Sequence, residues 1–152
     1  MRHAKSSWDD LYVDDFKRPL SERGLKNSET LNAFLKSKKV SFDKVYSSSS
    51  VRTEITCSVV LEGIFEFDKV SFLDDFYHAS AEYLKNFLLD KTLQESVLIV
   101  GHNPGLSDLV SYLSKRDIYL RTCDLVCLES KQTCLLYTSP SPRDRTRSRM
   151  PS

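Results

Sequence analysis

Apolar residues fall along this chain in two rhythms. From Ser21 to Lys38 they recur as Leu25, Leu31, Phe34 and Leu35, one side of a helix, with Ser21 available as its N-cap. Ser50 to Ile64 repeats more sparsely at Val51, Ile55 and Val59, and Ser80 to Leu89 at Leu84, Phe87 and Leu88. Pro104 to Ser114 carries Leu106, Leu109, Val110 and Leu113, a full helical face, and Pro104 suits the first turn of a helix. Between these lie strand candidates at Lys44–Ser47, Lys69–Phe72, Val97–Val100 and Leu125–Leu128. Val97-Leu98-Ile99-Val100 lacks polar alternation, which predicts a strand covered on both faces of a parallel sheet. Strands alternating with helices predict an α/β layered fold, with ligands at the carboxyl ends of the strands.

Two clusters of reactive side chains fall at such ends, and a third stands at the N-terminus with no strand before it. His102 follows Val97–Val100 through Gly101, and Asn103-Pro104-Gly105 then opens a helix whose free N–H groups favour an anion. Arg52 follows Ser47-Ser48-Ser49-Ser50-Val51, a serine run short enough to be a turn into a helix. Arg2-His3 is the third. A histidine near its ordinary pKa of about 6.5 is a competent nucleophile toward phosphorus, and a guanidinium can fork a phosphoryl oxygen. Each cluster has a plain structural reading of its own: a capping histidine, a linker, a basic terminus.

Bulk properties narrow the classes. The chain has 152 residues, 40% hydrophobic and 28% charged, the profile of one globular domain. A net charge of +1 from 22 basic and 21 acidic residues predicts no nucleic-acid partner and no membrane surface. No apolar run suits a bilayer span, and the polar N-terminus carries no secretory pattern, so a cytoplasmic location with reduced thiols is expected. Cys57, Cys123, Cys127 and Cys134 form no Cys-x-x-Cys pair, and neither a metal nor a cofactor is expected. Positions 63, 129, 133 and 140, six beyond each cysteine, are Gly, Glu, Thr and Pro, which excludes a Cys-x5-Arg phosphatase loop. The Asp-x-Asp and G-x-x-x-x-G-K-[ST] motifs are absent as well.

Five segments, in this order, resemble the histidine phosphatase superfamily and within it the small SixA-like phosphohistidine phosphatases. They are Met1-Arg-His-Ala-Lys-Ser-Ser-Trp8, Arg18-Pro-Leu-Ser-Glu-Arg-Gly24, Tyr46-Ser-Ser-Ser-Ser-Val-Arg-Thr53, Phe76-Tyr-His-Ala-Ser-Ala-Glu82 and Val97-Leu-Ile-Val-Gly-His-Asn-Pro-Gly105. The resemblance implies a phosphoglycerate mutase-like fold, a three-layer αβα sandwich with a mainly parallel sheet. It implies catalysis by His3 as nucleophile, with Arg2, Arg52 and His102 as the phosphate-binding group and His102 at least partly an imidazolium. The implied activity is hydrolysis of protein phosphohistidine, with a small phosphorylated metabolite or mere phospho-ligand binding as alternatives. The proton donor stays open among Asp74, Asp75, His78 and Glu82, and Trp8–Lys17 is expected to carry specificity.

The ends depart from the pattern. Relatives place a strand before Arg-His and further structure past Thr122, so residues 1–133 are expected to be a partial domain with weakened support for His3. Residues 134–152, from Cys134-Leu-Leu-Tyr-Thr-Ser-Pro onward, resemble a translated sequencing adapter and are expected to be a disordered, non-native tail. They carry four arginines and one aspartate; without them 18 basic and 20 acidic residues remain, a net charge of −2.

Overall fold

Ser21 closes an extended stretch and starts the first helix, α1, over Glu22–Ser37, its hydroxyl accepting the Gly24 amide at 3.1 Å. In this computed structural model, residues 1–91, 96–129 and 135–138 are described. Helix α1 buries Leu31 and Leu35 together with Gly24, Ser28 and Asn32, whereas Leu25 and Phe34 stand more than a third exposed. The inward stripe is therefore narrower and more polar than the apolar spacing predicts. Its polar members are matched: Ser28 donates to the Gly24 carbonyl, and Asn32 Nδ2 donates to the Val60 and Glu62 carbonyls at the end of the next helix.

Strand β1 (Lys44–Ser48) leads through Ser49-Ser50 into α2 (Val51–Val60). That helix ends four residues earlier than expected. The Leu61 carbonyl takes both the Ile64 and Phe65 amides, and the chain turns at Gly63 with φ +73°. Strand β2 (Ser71–Leu73) starts later than expected, because Phe67–Lys69 forms a 3₁₀ turn. Helix α3 (Ala81–Leu89) is capped by the Ser80 hydroxyl, and β3 (Val97–Val100) matches the expected bounds. Helix α4 (Gly105–Ser114) follows, with Pro104 at its N-cap instead of inside its first turn.

The sheet runs in the order β2-β1-β3, all parallel. Alternation along its strands divides the core. Val45, Leu98 and Val100 pack with Leu31, Leu35, Cys57 and Val60 of α1 and α2. Ile99, on the opposite face, packs with Phe76, Leu84, Leu106 and Leu109 of the α3 and α4 side. The three layers follow from that division. From β1 the chain goes out to β2 on one flank, then returns past β1 to β3 on the other. Their carboxyl ends thus open at a switch point in strand order.

Two expectations need correction. Strand β4 (Leu125–Leu128) does not join this sheet; it pairs antiparallel with β5 (Leu135–Thr138). Leu135–Thr138 belong to the segment set apart as a tail, and its residues 139–152 lie outside the described residues. Nor does His3 lack support. The Gly101 amide donates to the Met1 carbonyl, the His3 amide to the Gly101 carbonyl, and the Cys123 amide to the His3 carbonyl, each at 3.0–3.1 Å. Arg2 is bridged in parallel to Gly101, so residues 1–3 lie alongside β3 and continue the sheet. Among the described residues, no helix is long and apolar enough to cross a membrane.

Candidate active site

His3 owes its place to backbone bonds on both sides. The next residue, Ala4, donates its amide to Thr56 Oγ1 at 3.0 Å, and Thr56 in turn donates to the Arg52 carbonyl. Beyond it, Ser21 holds the Lys5 carbonyl, which approaches Gly24 so closely that a Cβ there would lie 2.2 Å from that oxygen. A side chain at position 24 would push this segment out of line.

The His3 ring is 7% exposed, and its Nδ1 lies 2.7 Å from the Ala4 carbonyl oxygen. A carbonyl only accepts, so Nδ1 carries the proton and Nε2 keeps its lone pair. Burial pushes the His3 pKa down to about 4; the Ala4 carbonyl opposes this, and the Arg52 and Arg2 charges add to it. At neutral pH the ring is neutral.

His102 follows the last residue pair of β3 and sits beside His3, ring centroids 5.1 Å apart. Its Nε2 is 2.8 Å from Ser48 Oγ, and Arg52 Nη2 lies 3.4 Å from its Nδ1. Because guanidinium only donates, Nδ1 accepts and Nε2 carries the proton toward Ser48. Burial first, then His3 and Arg52, lower its pKa to about 2. The surrounding protein thus disfavours the imidazolium, and an arriving phosphoryl anion would raise the pKa toward it.

Arg52, in the first turn of α2 and 4% exposed, reaches three partners. Nη1 donates to the Asp15 carbonyl at 2.5 Å, and Nη2 to the Asp15 carboxylate at 3.0 Å and to His102. Arg2 Nη1 donates to the Leu120 carbonyl at 3.0 Å, and its buried Nε has no hydrogen-bond partner among the described residues. Its charge is felt at His3. The structure thus brings His3, His102 and Arg52 into direct contact or adjacency, with Arg2 bearing on the same ring.

Asp15 is the residue that sequence reasoning missed. It opens a 3₁₀ turn, Asp15–Lys17, and its Oδ2 receives Arg52, the Tyr77 hydroxyl and, at 3.4 Å, His78 Nε2. The Tyr77 hydroxyl and Arg52 hold its carboxyl down at about 2. No local signal separates it from Asp9, Asp10 or Asp14; its partners lie 37 to 63 positions away. Of the four acid candidates, Asp74 is engaged by the Ser49 hydroxyl, and Asp75 and Glu82 are exposed. His78 alone joins this network, its ring 5.0 Å from that of His102. Among the described residues no group of histidine, cysteine and carboxylate side chains could hold a metal ion.

Comparison with known proteins bears on this geometry. Residues 1–86 match the model of the histidine phosphatase superfamily (branch 1). An uncharacterized chloroplastic protein of Arabidopsis thaliana is 31% identical over 141 residues, which cover 86% of this chain and 64% of the relative. The chain therefore spans less than two thirds of that relative's length. Among solved structures, one from Agrobacterium tumefaciens, described as a candidate phosphohistidine phosphatase SixA, is 25% identical with a TM-score of 0.77, over 86% of this chain and 89% of its own. A protein histidine phosphatase SixA solved with tungstate is 24% identical, TM-score 0.76, over 92% and 94% of the two chains. A match over more than half of the sequence, and the same fold throughout, assign the chain to the histidine phosphatase superfamily, branch 1.

Proposed function

We propose that this chain hydrolyses phosphorylated substrates through a phosphoryl group carried on His3, and that its substrate is protein phosphohistidine. One observation carries the reading: His3 is buried, its Nδ1–H is committed to the Ala4 carbonyl, and the lone pair on Nε2 is free at neutral pH. A nucleophile needs that lone pair and a fixed ring. Arg52 and Arg2 supply permanent positive charge beside it, and the buried Arg2 Nε is a donor with no partner among the described residues. These donors suit the oxygens of a phosphoryl group in transfer, where pre-set positive charge lowers the barrier without reorganisation.

In the first step His3 Nε2 attacks phosphorus, and the bond to the leaving atom breaks with its electron pair. In the second, water attacks the phosphorus and the electron pair of the P–N bond returns to Nε2. His102 starts neutral, donating to Ser48, and gains a proton only as phosphoryl charge enters the pocket. The phosphohistidine assignment rests on the names of the relatives and on the short Trp8–Lys17 connection, beyond which the pocket rim is exposed. Buried free thiols at Cys57 and Cys123 fit a reducing compartment such as the cytosol.

The purified chain is expected to release phosphate from p-nitrophenyl phosphate, and faster at equal concentration from a phosphohistidine-bearing protein. Phosphoserine peptides and sugar phosphates serve as competitors. Preference for a sugar phosphate would overturn the substrate assignment, and no release from any of them would overturn the hydrolase.

A further inference from the structure

A leaving group needs a proton, and the reading above leaves its donor unnamed. We infer that His78, held by Asp15, gives the proton to the leaving atom and afterwards takes one from the attacking water. The inference rests on the phosphohydrolase reading of the same site.

Position distinguishes His78 from the other three candidates. It follows the 3₁₀ turn Asp74–Phe76 at the carboxyl end of β2, so it joins the crevice where β1 and β3 deliver Arg52 and His102. Phe76, 1% exposed and packed edge-on to Phe87, anchors this turn from the core side. Asp74, Asp75 and Glu82 are neighbours in sequence, yet among the described residues none shares a hydrogen bond or ion pair with His3, His102, Arg52 or Asp15.

Its conformation is also constrained. His78 has φ +53°, in the left-handed region that a non-glycine residue enters at a cost. Tyr77 beside it fixes the approach: its hydroxyl donates to the Asp15 carboxylate, and its ring lies 4.2 Å from the His78 ring and 5.3 Å from that of His102. The His102 ring neighbours both other imidazoles, 5.1 Å from His3 and 5.0 Å from His78.

The two nitrogens of His78 have separate jobs. Nε2 faces Asp15 Oδ2 at 3.4 Å, whereas Nδ1 has no hydrogen-bond partner among the described residues. The side chain is half exposed, so Nδ1 can meet a substrate group arriving from solvent. An ionised Asp15 can balance the imidazolium on the Nε2 side, and it ties the same carboxylate to Arg52. Asp15 is then a positioning residue that sets His78 and Arg52 relative to each other.

The proton count closes. In the first step His78 imidazolium protonates the leaving oxygen or nitrogen as its bond to phosphorus breaks, ending neutral. In the second, neutral His78 takes a proton from water as the water oxygen bonds to phosphorus, and His3 Nε2 leaves with its electron pair. The products are the dephosphorylated group, inorganic phosphate and the enzyme as it began.

A general acid matters in proportion to how badly the leaving group needs a proton. The test compares p-nitrophenyl phosphate, whose leaving group departs as the anion, with phenyl phosphate, whose leaving group does not. His78→Asn keeps a residue that tolerates positive φ, and Asp15→Asn keeps the side-chain shape. His78→Asn is expected to lower kcat about 100-fold on phenyl phosphate and less than about tenfold on p-nitrophenyl phosphate. Asp15→Asn should show the same bias at smaller size, and added imidazole should restore phenyl phosphate turnover to the His78 variant. Equal losses on both substrates, or no rescue, would overturn the assignment. Wild-type chain inactive on both substrates would overturn the phosphohydrolase reading instead, and this inference with it. If His78→Asn fails to fold, judged by its circular dichroism, Asp15→Asn decides by the same ratio.

Discussion

The floor and the rim of the pocket are built on different principles. On the floor, His3 is fixed by main-chain bonds to Ala4, Gly101 and Cys123, and His102 by Ser48. On the rim, Asp15, Tyr77 and His78 are more exposed and hold each other by side-chain contacts alone. Main-chain bonds persist whatever the neighbouring side chains are, so His3 is set by the fold, whereas His102 also leans on the Ser48 side chain. The rim depends on residues whose loss changes only a few contacts, and it is where substrate preference can vary without risk to the nucleophile.

Substitutions and pH should separate the two regions by size of effect. The largest belongs to Arg52, which spans both. Arg52→Ala removes the charge beside His3 and leaves Asp15 with only the longer Arg18 pair at 4.0 Å and His78 as ion-pair partners; kcat/KM on p-nitrophenyl phosphate should fall about 100- to 1,000-fold, the range for a lost transition-state donor. Arg52→Lys should recover little of it, because an ammonium cannot bridge Asp15 and His102 with fork geometry. A loss under tenfold would mean that the floor works without it.

The floor should next reveal itself through pH. Folding favours neutral His3, since its pKa is about 4 in the protein against 6.5 for a free ring. The unfolded chain binds the proton as pH falls through 6.5, the folded one only near 4. Stability from this ring is therefore complete above 6.5 and declines between 6.5 and 4, by about 3 kcal/mol. Urea unfolding of the wild type and of His3→Gln at both pH values isolates the contribution as the difference between them. A difference that does not change with pH would contradict the buried neutral ring.

Ser48→Ala should cost less, about 1 to 2 kcal/mol in urea unfolding, for one unmet buried N–H on His102. It should also lower turnover, as His102 loses the contact that fixes its tautomer. The smallest effect belongs to the rim. The Trp8 ring lies 3.9 Å from the Arg18 guanidinium, and Trp8 is 56% exposed. Trp8→Ala should change stability by no more than about 1 kcal/mol. A larger loss would show the rim to be part of the folding core.

What the sequence discloses follows the same division. Arg2-His3 has no local mark and is read from the resemblance of Met1–Trp8 alone, whereas Arg52 and His102 are legible because each stands past a strand end beside a helix start, and local pattern marks both. Helices α1, α3 and α4 come close to their expected bounds for the same reason. The excess length assigned to α2 comes from extending the Val51, Ile55, Val59 stripe as far as Ile64, although Gly63 turns the chain first. The pairing of β4 depends on Leu135–Thr138, in the segment that the sequence reading set apart as a tail. Asp15 is illegible in the same way: four aspartates crowd positions 9–15, and only tertiary contact with Arg52 and Tyr77 selects one. His78 stood among four candidates until its contacts with Asp15 and His102 set it apart.

The central claim is that phosphoryl transfer passes through His3 Nε2. The direct measurement is to mix the chain with radiolabelled phosphorylated substrate, quench within one turnover in alkali, and map the labelled peptide. A phosphorus–nitrogen bond survives base and breaks in acid, so the account predicts an acid-labile, base-stable label on the peptide carrying His3, absent from His3→Ala. Label on another residue, or undiminished phosphate release by His3→Ala, would contradict it.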